Sequence, residues 1–426
     1  MESGRRSDRR SDKHSDRPGD KLSTVQGLRR ANRAEVLQRL YADGPLSRQD
    51  LTRLTGLSQA TVSNVVGDLV EAGVVTEAGA LDSSGGRPRV LLRVEPDHAR
   101  VIGVDVGETG VKVELFDLGM RELARADFAL SAQGADVDEV VRHILAGLDK
   151  VCREAGVDPA AVMGVGIGVP GLVEHGAADA GPGEHADLLV HGQTTGWEAV
   201  PLGRLLREGT DLPLHIDNGA KTLGRAEMWF GSGRGVGNAV MILLGSGIGA
   251  AIVTDGKMYR GSTTSAGELG HLTVNVGGRR CRCGALGCLE AYVGAEAILD
   301  RYRELRPDDV LTGADEETRI AALVAAADIS ADAASVLEST ALYLGVGIGN
   351  LVNLFNPQRI VLGGWAGLAI GGRMLPAIQA AAADHALRRP FAGTTIELAR
   401  LGPDAVALGA ATLPVERFLR AGGIPD

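Results

Sequence analysis

The chain has 426 residues, 60 of them glycine, with only 3% aromatic side chains and a formal net charge of −10; this length suits two or three domains around a substantial core. Charge is uneven: residues 1–100 hold 17 Lys and Arg against 14 Asp and Glu, and the remainder 27 against 40, which fits a mildly basic nucleic-acid-reading head on an acidic body. Four cysteines, three of them clustered, exclude a disulfide framework. No apolar leader or membrane-length run occurs, so a cytoplasmic protein away from the membrane is expected.

Residues 1–22 are Ser, Asp and Arg with almost nothing apolar, the composition of a disordered tail. Short helices are expected within 23–95. Val36, Leu37 and Leu40 share one helical face, and Ser47 caps a second helix with Asp50 at the reciprocal capping position. Gly56 turns the chain, and Ser58 opens a third helix running through Val70. Its buried stripe is Val62, Val65, Val66 and Leu69, which leaves Ser58, Gln59, Ala60, Thr61, Ser63 and Asn64 at the exposed N-terminal end. Gly73-Val74-Val75 starts a strand, Gly85-Gly86-Arg87-Pro88-Arg89 makes a loop tip, and Val90–Val94 returns. The pattern is a winged helix-turn-helix whose third helix enters a major groove. Arg87 and Arg89 are suited to the negative potential of a minor groove. A double-stranded DNA operator is the implied partner, and a generic three-helix interaction module is the plainer alternative.

From residue 96 to 426 the pattern is α/β. Val101–Gly107 is a strand running into a glycine turn, with Val111–Phe116 as its antiparallel return. A helix is expected over 136–155, then a strand and turn over Val165–Gly171. A second glycine-turn pair begins at Met241–Gly249 and returns through Ile252; a late helix over 331–355 leads into the strand Arg359–Gly364. Between them stand Gly267-Glu268-Leu269-Gly270-His271 and Cys281-Arg282-Cys283-Gly284-Ala285-Leu286-Gly287-Cys288. One imidazole and three thiolates, from His271, Cys281, Cys283 and Cys288, form a complete tetrahedral set for Zn²⁺ with no position left for water. A structural metal is therefore expected, with three free thiols in a loop as the alternative. Cys152, isolated in sequence, is expected to play no part in it.

This ordered series resembles the ROK family (repressors, open reading frames, kinases), and the helix-turn-helix resembles that of its transcriptional regulators. The matching pieces are Asp105-Val106-Gly107, Gly168-Val169-Pro170-Gly171, Gly196-Trp197, Leu244-Gly245-Ser246-Gly247-Ile248-Gly249, and the His271 and Cys281–Cys288 motifs with Leu289-Glu290 following. The resemblance implies a two-lobed, actin-like sugar-kinase fold with a ligand cleft and a structural zinc site. It also implies a lobe division near 195–215 and a C-terminal helix returning to the first lobe. Gln193, Asn218, Glu268, His271 and Glu290 are the sugar-binding residues it suggests; alternatively, Glu268 and Glu290 only orient the metal loop.

The departures from the family pattern point away from catalysis. Kinases of the family carry Glu-Asn-Asp-Ala-Asn, whose Asp takes the proton of the sugar hydroxyl, whereas this chain reads Asp217-Asn218-Gly219-Ala220-Lys221. Gly219 has nothing to accept a proton, and Asp217 is two residues out of place. Their Asp-x-Gly-Gly-Thr-Lys loop is Asp105-Val106-Gly107-Glu108-Thr109-Gly110 here, with a carboxylate where a polyphosphate would approach. Trp365 crowds a stretch often kept as glycine. The expectation is a non-enzymatic regulator, a repressor by resemblance, sensing a sugar or sugar phosphate as a homodimer or homotetramer. The alternatives are a sugar kinase with a DNA-binding head and a regulator controlled by a protein partner. The stretch 174–195, with His175, His185 and His191, reads as a variable surface loop.

Overall fold

The computed structural model describes residues 25–81, 88–131, 136–174, 188–192, 194–309 and 311–424. The chain divides into a head, Met1–Val94 together with Phe418–Asp426, and a body, Glu95–Arg417. The tail expected over residues 1–22 lies outside the described residues.

The head contains α1 (Val25–Asp43), β1 (Leu46–Ser47), α2 (Arg48–Thr55), α3 (Gln59–Glu71), β2 (Val75–Leu81) and β3 (Arg89–Val94), and its strands pair in the order β1-β3-β2. Local chemistry sets the helix ends. The Ser47 hydroxyl accepts the Asp50 N–H while the Asp50 carboxylate accepts the Ser47 N–H, so two donors at the start of α2 are satisfied reciprocally. Gly56 ends α2 at φ 70°, where a side chain would be strained. Leu37, Leu51, Val62, Val66, Leu69 and Leu92 are fully buried, so the period-3.6 stripe of α3 and alternate residues of β3 face one core. The segment after Arg417 completes that core. Phe418, Leu419 and Ala421 are buried, and the Gly422 carbonyl accepts the Arg33 guanidinium at 2.8 Å. Gly423 passes so close that a Cβ would lie 3.2–3.4 Å from Leu37, Val74 and Leu69.

The body repeats one pattern twice. Its first half has β4 (Arg100–Val106), β5 (Gly110–Asp117), β6 (Glu122–Ala129), α4 (Val137–Ala155), β7 (Val162–Val169), β8 (Leu172–Glu174), β9 (Leu189–Gly192), β10 (Trp197–Val200), α5 (Leu202–Arg207), β11 (Leu214–Asn218) and α6 (Gly219–Phe230). Its second half has β12 (Ala239–Leu244), β13 (Ile248–Thr254), β14 (Lys257–Met258), α7 (Glu290–Val293), α8 (Ala295–Leu305), α9 (Glu316–Ala326), α10 (Ala331–Phe355), β15 (Arg359–Gly363), α11 (Trp365–His385), α12 (Arg388–Ala392), β16 (Thr395–Leu398) and α13 (Ala405–Arg420). The first sheet runs β11-β7-β4-β5-β6 and the second β14-β13-β12-β15-β16. In each, a central hairpin carries an antiparallel strand on one side and two parallel strands on the other.

The helix that closes each half crosses to the other. α6, which follows the first sheet, packs on β12 and β13, and α13 packs on the first sheet. Glycines allow that approach: a Cβ on Gly103 would sit 2.0 Å from the Ala407 carbonyl oxygen, and one on Gly166 1.8 Å from that of Ala410. The helices also touch each other, Gly409 lying against the Thr222 carbonyl. This exchange sets the two sheets on either side of a cleft. α10 alone among the described helices is long and apolar enough to cross a membrane, but Val336, Leu344, Ile348 and Val352 are buried in the core of the second half.

Of the stretch 174–195, expected to be a surface loop, residues 175–187 and 193 lie outside the described residues. Glu174 ends β8, and β9 pairs with β8 on one side and β10 on the other. Val173, Val190 and Trp197 anchor that small sheet in the first half's core. His175 and His185 lie outside the described residues.

Candidate functional site

In the head, Gln59, Ala60, Ser63 and Asn64 are exposed along the first turns of α3, and Thr61 is half-buried. The Ser58 hydroxyl caps the helix by accepting the Thr61 N–H at 3.1 Å, and it lies 2.9 Å from the Thr61 hydroxyl. Ser58 and Thr61 thus hold the helix end, while Gln59, Ser63 and Asn64 present exposed polar side chains. Arg89 opens β3 and is exposed; Arg87 lies outside the described residues.

In the body, a cavity of about 1120 Å³ opens between the halves. Its walls include the β4–β5 turn, the start of α6, the β12–β13 turn, the Gly267–His271 loop, Glu290 and Trp365. The metal motif forms one edge. The donor atoms of His271, Cys281, Cys283 and Cys288 all lie within 4.8 Å of one another. Cys283 Sγ and Cys288 Sγ are 3.8 Å apart, and Cys281 Sγ is 3.8 Å from His271 Nδ1. Zinc–sulfur bonds of about 2.3 Å at tetrahedral angles give edges of about 3.8 Å, far from the ~2.05 Å of a disulfide. Burial pushes the Cys281 thiol up to about 12 and raises that of Cys288. Three thiols packed this way suit a cation that replaces their protons. The donor set fits zinc.

Behind the cluster, His271 Nε2 lies 4.0 Å from the Glu268 carboxylate, the partner arrangement that orients a metal-bound imidazole. Glu268 lines the cavity, and burial raises its carboxyl, opposed by His271 and Lys221. Glu290 is buried. One of its oxygens accepts the Ile248 N–H at 3.2 Å, and the other lies 3.8 Å from Cys281 Sγ and 3.5 Å from the Arg282 guanidinium. Both carboxylates therefore face the cavity from the loop that the metal motif shapes. Asn218 does a different job. Its side-chain oxygen accepts the N–H groups of Ala220 and Lys221, and its amide donates to the Gly171 carbonyl at 2.6 Å. It caps α6 and ties it to the turn after β7. Gln193 lies outside the described residues.

Gly219 follows at the start of α6 and lines the cavity. Asp217 is no substitute for a base there. It is buried, and the Arg260 guanidinium grips both of its oxygens. Glu108 is not left facing solvent either: Arg282, from between two of the cysteines, makes two hydrogen bonds to it, and the same guanidinium lies 3.5 Å from Glu290 and 3.7 Å from Glu296. The first phosphate-type turn is thus closed by an ion pair that crosses the cleft. The Trp365 indole lies over the second such turn, its Nε1 3.0 Å from where a Gly245 Cβ would stand.

Sequence reasoning missed Arg260, Arg282, and the pairs Lys112–Asp404 and Glu174–His191. The Lys112 ammonium meets the Asp404 carboxylate at 3.0 Å and lies beside Asp105, whose carboxyl burial pushes up to about 6. His191 Nε2 is 3.0 Å from Glu174 on the small sheet. These partners are 17 to 292 residues apart, and nothing in a local pattern pairs them.

A family model described as the ROK family matches residues 101–417, and one described as the MarR family matches residues 26–82. A xylose repressor of Caldicellulosiruptor bescii is 30% identical over 410 residues, covering 92% of this chain and 97% of that protein. A glucokinase of Halalkalibacterium halodurans is 34% identical over 316 residues, 72% of this chain and 92% of the kinase. The crystal structure of a ROK family transcriptional regulator, a homolog of the E. coli MLC protein, superposes with a TM-score of 0.73 at 27% identity, covering 93% of this chain and 98% of that one.

Proposed function

Because the chain belongs to the ROK family, we propose that it is a DNA-binding repressor whose kinase-like body senses a sugar. The observation that carries this reading is the extent of the likeness: the repressor relative covers 92% of the chain and so spans head and body together, whereas the glucokinase relative covers 72%. The site supports the same conclusion. A ROK-type body with Gly219 at the base position, Asp217 held by Arg260 and Glu108 held by Arg282 keeps a cleft but has no carboxylate where the family's kinases place their base.

In this reading α3 reads the operator's major groove through Gln59, Ser63 and Asn64, and Arg89 with Arg87 serves the minor groove. Two copies of the chain present two heads to a palindromic site. Zinc at His271, Cys281, Cys283 and Cys288 would hold the loop that carries Glu268 to the cleft; its chemistry is structural, fixing position and supplying no open coordination site. Glu268 and Glu290 accept hydrogen bonds from sugar hydroxyls, charge-assisted and directional. A ligand that binds one conformation of the body more tightly than another shifts the population of DNA-competent protein, with a coupling of about 1–3 kcal/mol.

The test is operator binding by gel shift or fluorescence anisotropy, with and without sugars. Asn64→Ala should lower preference for the operator over unrelated DNA by about 1–3 kcal/mol, and Arg89→Ala should weaken binding and flatten its salt dependence. Glu290→Gln should retain DNA binding while blunting the sugar response. If no sugar alters operator affinity, the sensing half of this reading falls and control passes to a protein partner. An unresponsive Arg89→Ala removes the wing assignment.

A further inference from the structure

The charges around the cleft narrow the ligand further than sugar sensing requires. Among the described residues its lining contributes Asp105, Glu108, Glu174, Glu198, Glu268, Glu290 and Glu317 against a single ammonium, Lys112. That ammonium is committed to Asp404 at 3.0 Å. No arginine among the described residues lines the cavity, and Arg282, at its edge, already faces Glu108, Glu290 and Glu296. A phosphate needs guanidinium, ammonium or free backbone N–H groups. The amides best placed to supply the last are in use. Gly107 N–H donates to the Gly110 carbonyl, Gly245 N–H to that of Gly247, and Ile248 N–H to Glu290. Ala220 and Lys221 N–H, at the start of α6, donate to Asn218. The metal edge adds no positive charge either, since one Zn²⁺ with three thiolates and a neutral imidazole sums to about −1.

We propose that the cleft admits only sugars without a phosphate, either uncharged or carrying an amino group, and excludes sugar phosphates and nucleotides by charge. The proposal rests on the sugar-sensing reading and narrows its ligand class. A dianion placed among these carboxylates meets repulsion that a hydroxyl does not, in a cavity where solvent screens less than in bulk water. Glu268 and Glu290, at the metal edge of the cavity, also suit hydroxyl and ammonium donors, whereas the exposed Glu198 and Glu317 add long-range repulsion without holding the polyol. Gly219 adds space on the ligand side, because the nearest atoms to a Cβ there are 3.6–3.8 Å away.

The experiment is isothermal titration of the full, zinc-retaining chain with xylose, glucose, N-acetylglucosamine and glucosamine, and with the 6-phosphates of the last three. At least one parent sugar should bind, and each that binds should do so about tenfold or more tightly than its own phosphate. Raising salt should narrow that gap by screening. Glu198 and Glu317 lie exposed at the rim, so Glu198→Lys with Glu317→Lys should narrow it about threefold while parent-sugar affinity stays within about twofold. A phosphate that binds as tightly as its parent sugar overturns the charge selection and leaves sugar sensing standing. If no compound of either kind binds, sugar sensing falls and the selection with it. A gap indifferent to both salt and the double charge reversal also overturns the electrostatic account.

Discussion

The two halves of the body share one strand order, but among the described residues three helices accompany the first sheet and seven the second, and the two carry different equipment. The second half supplies the metal cluster, Glu268, His271 and Glu290, and each of these is placed to hold something. The first half supplies the β4–β5 turn and the start of α6, where the ROK kinase pattern has phosphate and base chemistry. There Glu108 is capped by Arg282, and Gly219 has no side chain. The first half also buries the Glu114 carboxyl. Arg125 faces it at 3.0 Å and Lys112 favours its charge as well, yet burial pushes it up to about 8. Binding and turnover thus depend on different parts of one duplicated fold, and a protein can lose the second while keeping the first.

The largest expected effect sharpens the contrast from the second half. Cys283→Ser should remove about one equivalent of zinc and destabilise the body by more than about 4 kcal/mol. Elemental analysis and thermal denaturation measure both. Cys152→Ala, on α4 in the first half, should leave metal content unchanged. Zinc-free protein with the parent's melting temperature would show that the second half needs no metal.

Next in size is the first half's buried carboxyl. Its native value lies above the ordinary one for Glu, so the native state keeps its proton where the unfolded chain has lost it. Stability should therefore fall as pH rises from about 4.5 to about 8. Glu114→Gln should remove that slope, gaining roughly 2 kcal/mol at pH 8 relative to pH 5 in urea titrations; Arg125 retains Asp404 at 2.8 Å and Glu122 at 3.0 Å. Equal pH slopes for parent and variant would mean the first half carries no such burden.

The smallest effect on stability is expected at Gly219. Gly219→Asp meets no atom nearer than 3.6 Å at its Cβ and should cost less than about 1 kcal/mol. Restoring the carboxylate should still leave ATP-dependent sugar phosphorylation below about 0.01 s⁻¹ in a coupled assay, against the 1 s⁻¹ or more usual for enzymes, because Glu108 and Arg282 still close the phosphate turn. Turnover near 1 s⁻¹ in the variant would collapse the contrast to one missing side chain. The same rate in the parent would end the regulator reading.

What could be read ahead of the structure follows the range of the forces involved. Ser47 with Asp50, the Ser58 cap, and the helices over 137–155 and 331–355 depend on neighbours within a few residues, and sequence periodicity captures such terms. The four metal donors fall within 18 residues, so their spacing carried the chemistry. The closure of the cleft was not legible. Glu108 and Arg282 are 174 residues apart, and Asp217 on β11 and Arg260 in the loop after β14 are 43 apart. Asn218, suggested as a ligand by the family's pattern, does line the cavity, but its side chain's second task, capping α6, was not legible. The small sheet around Val190 was hidden because its strands are only three or four residues long.

The glycine pair at 422–423 bears on how the molecule is made. Head residues up to Val94 leave the ribosome first, but Phe418, Leu419 and the Gly422 carbonyl that receives Arg33 arrive more than three hundred residues later. Until then the apolar surface around Leu37, Leu69 and Val74 lacks its last neighbours. Translation order therefore acts as a quality check: a truncated chain, lacking its effector-binding body, also lacks the piece that finishes the operator-reading head, and would occupy DNA poorly in a form that no ligand could release.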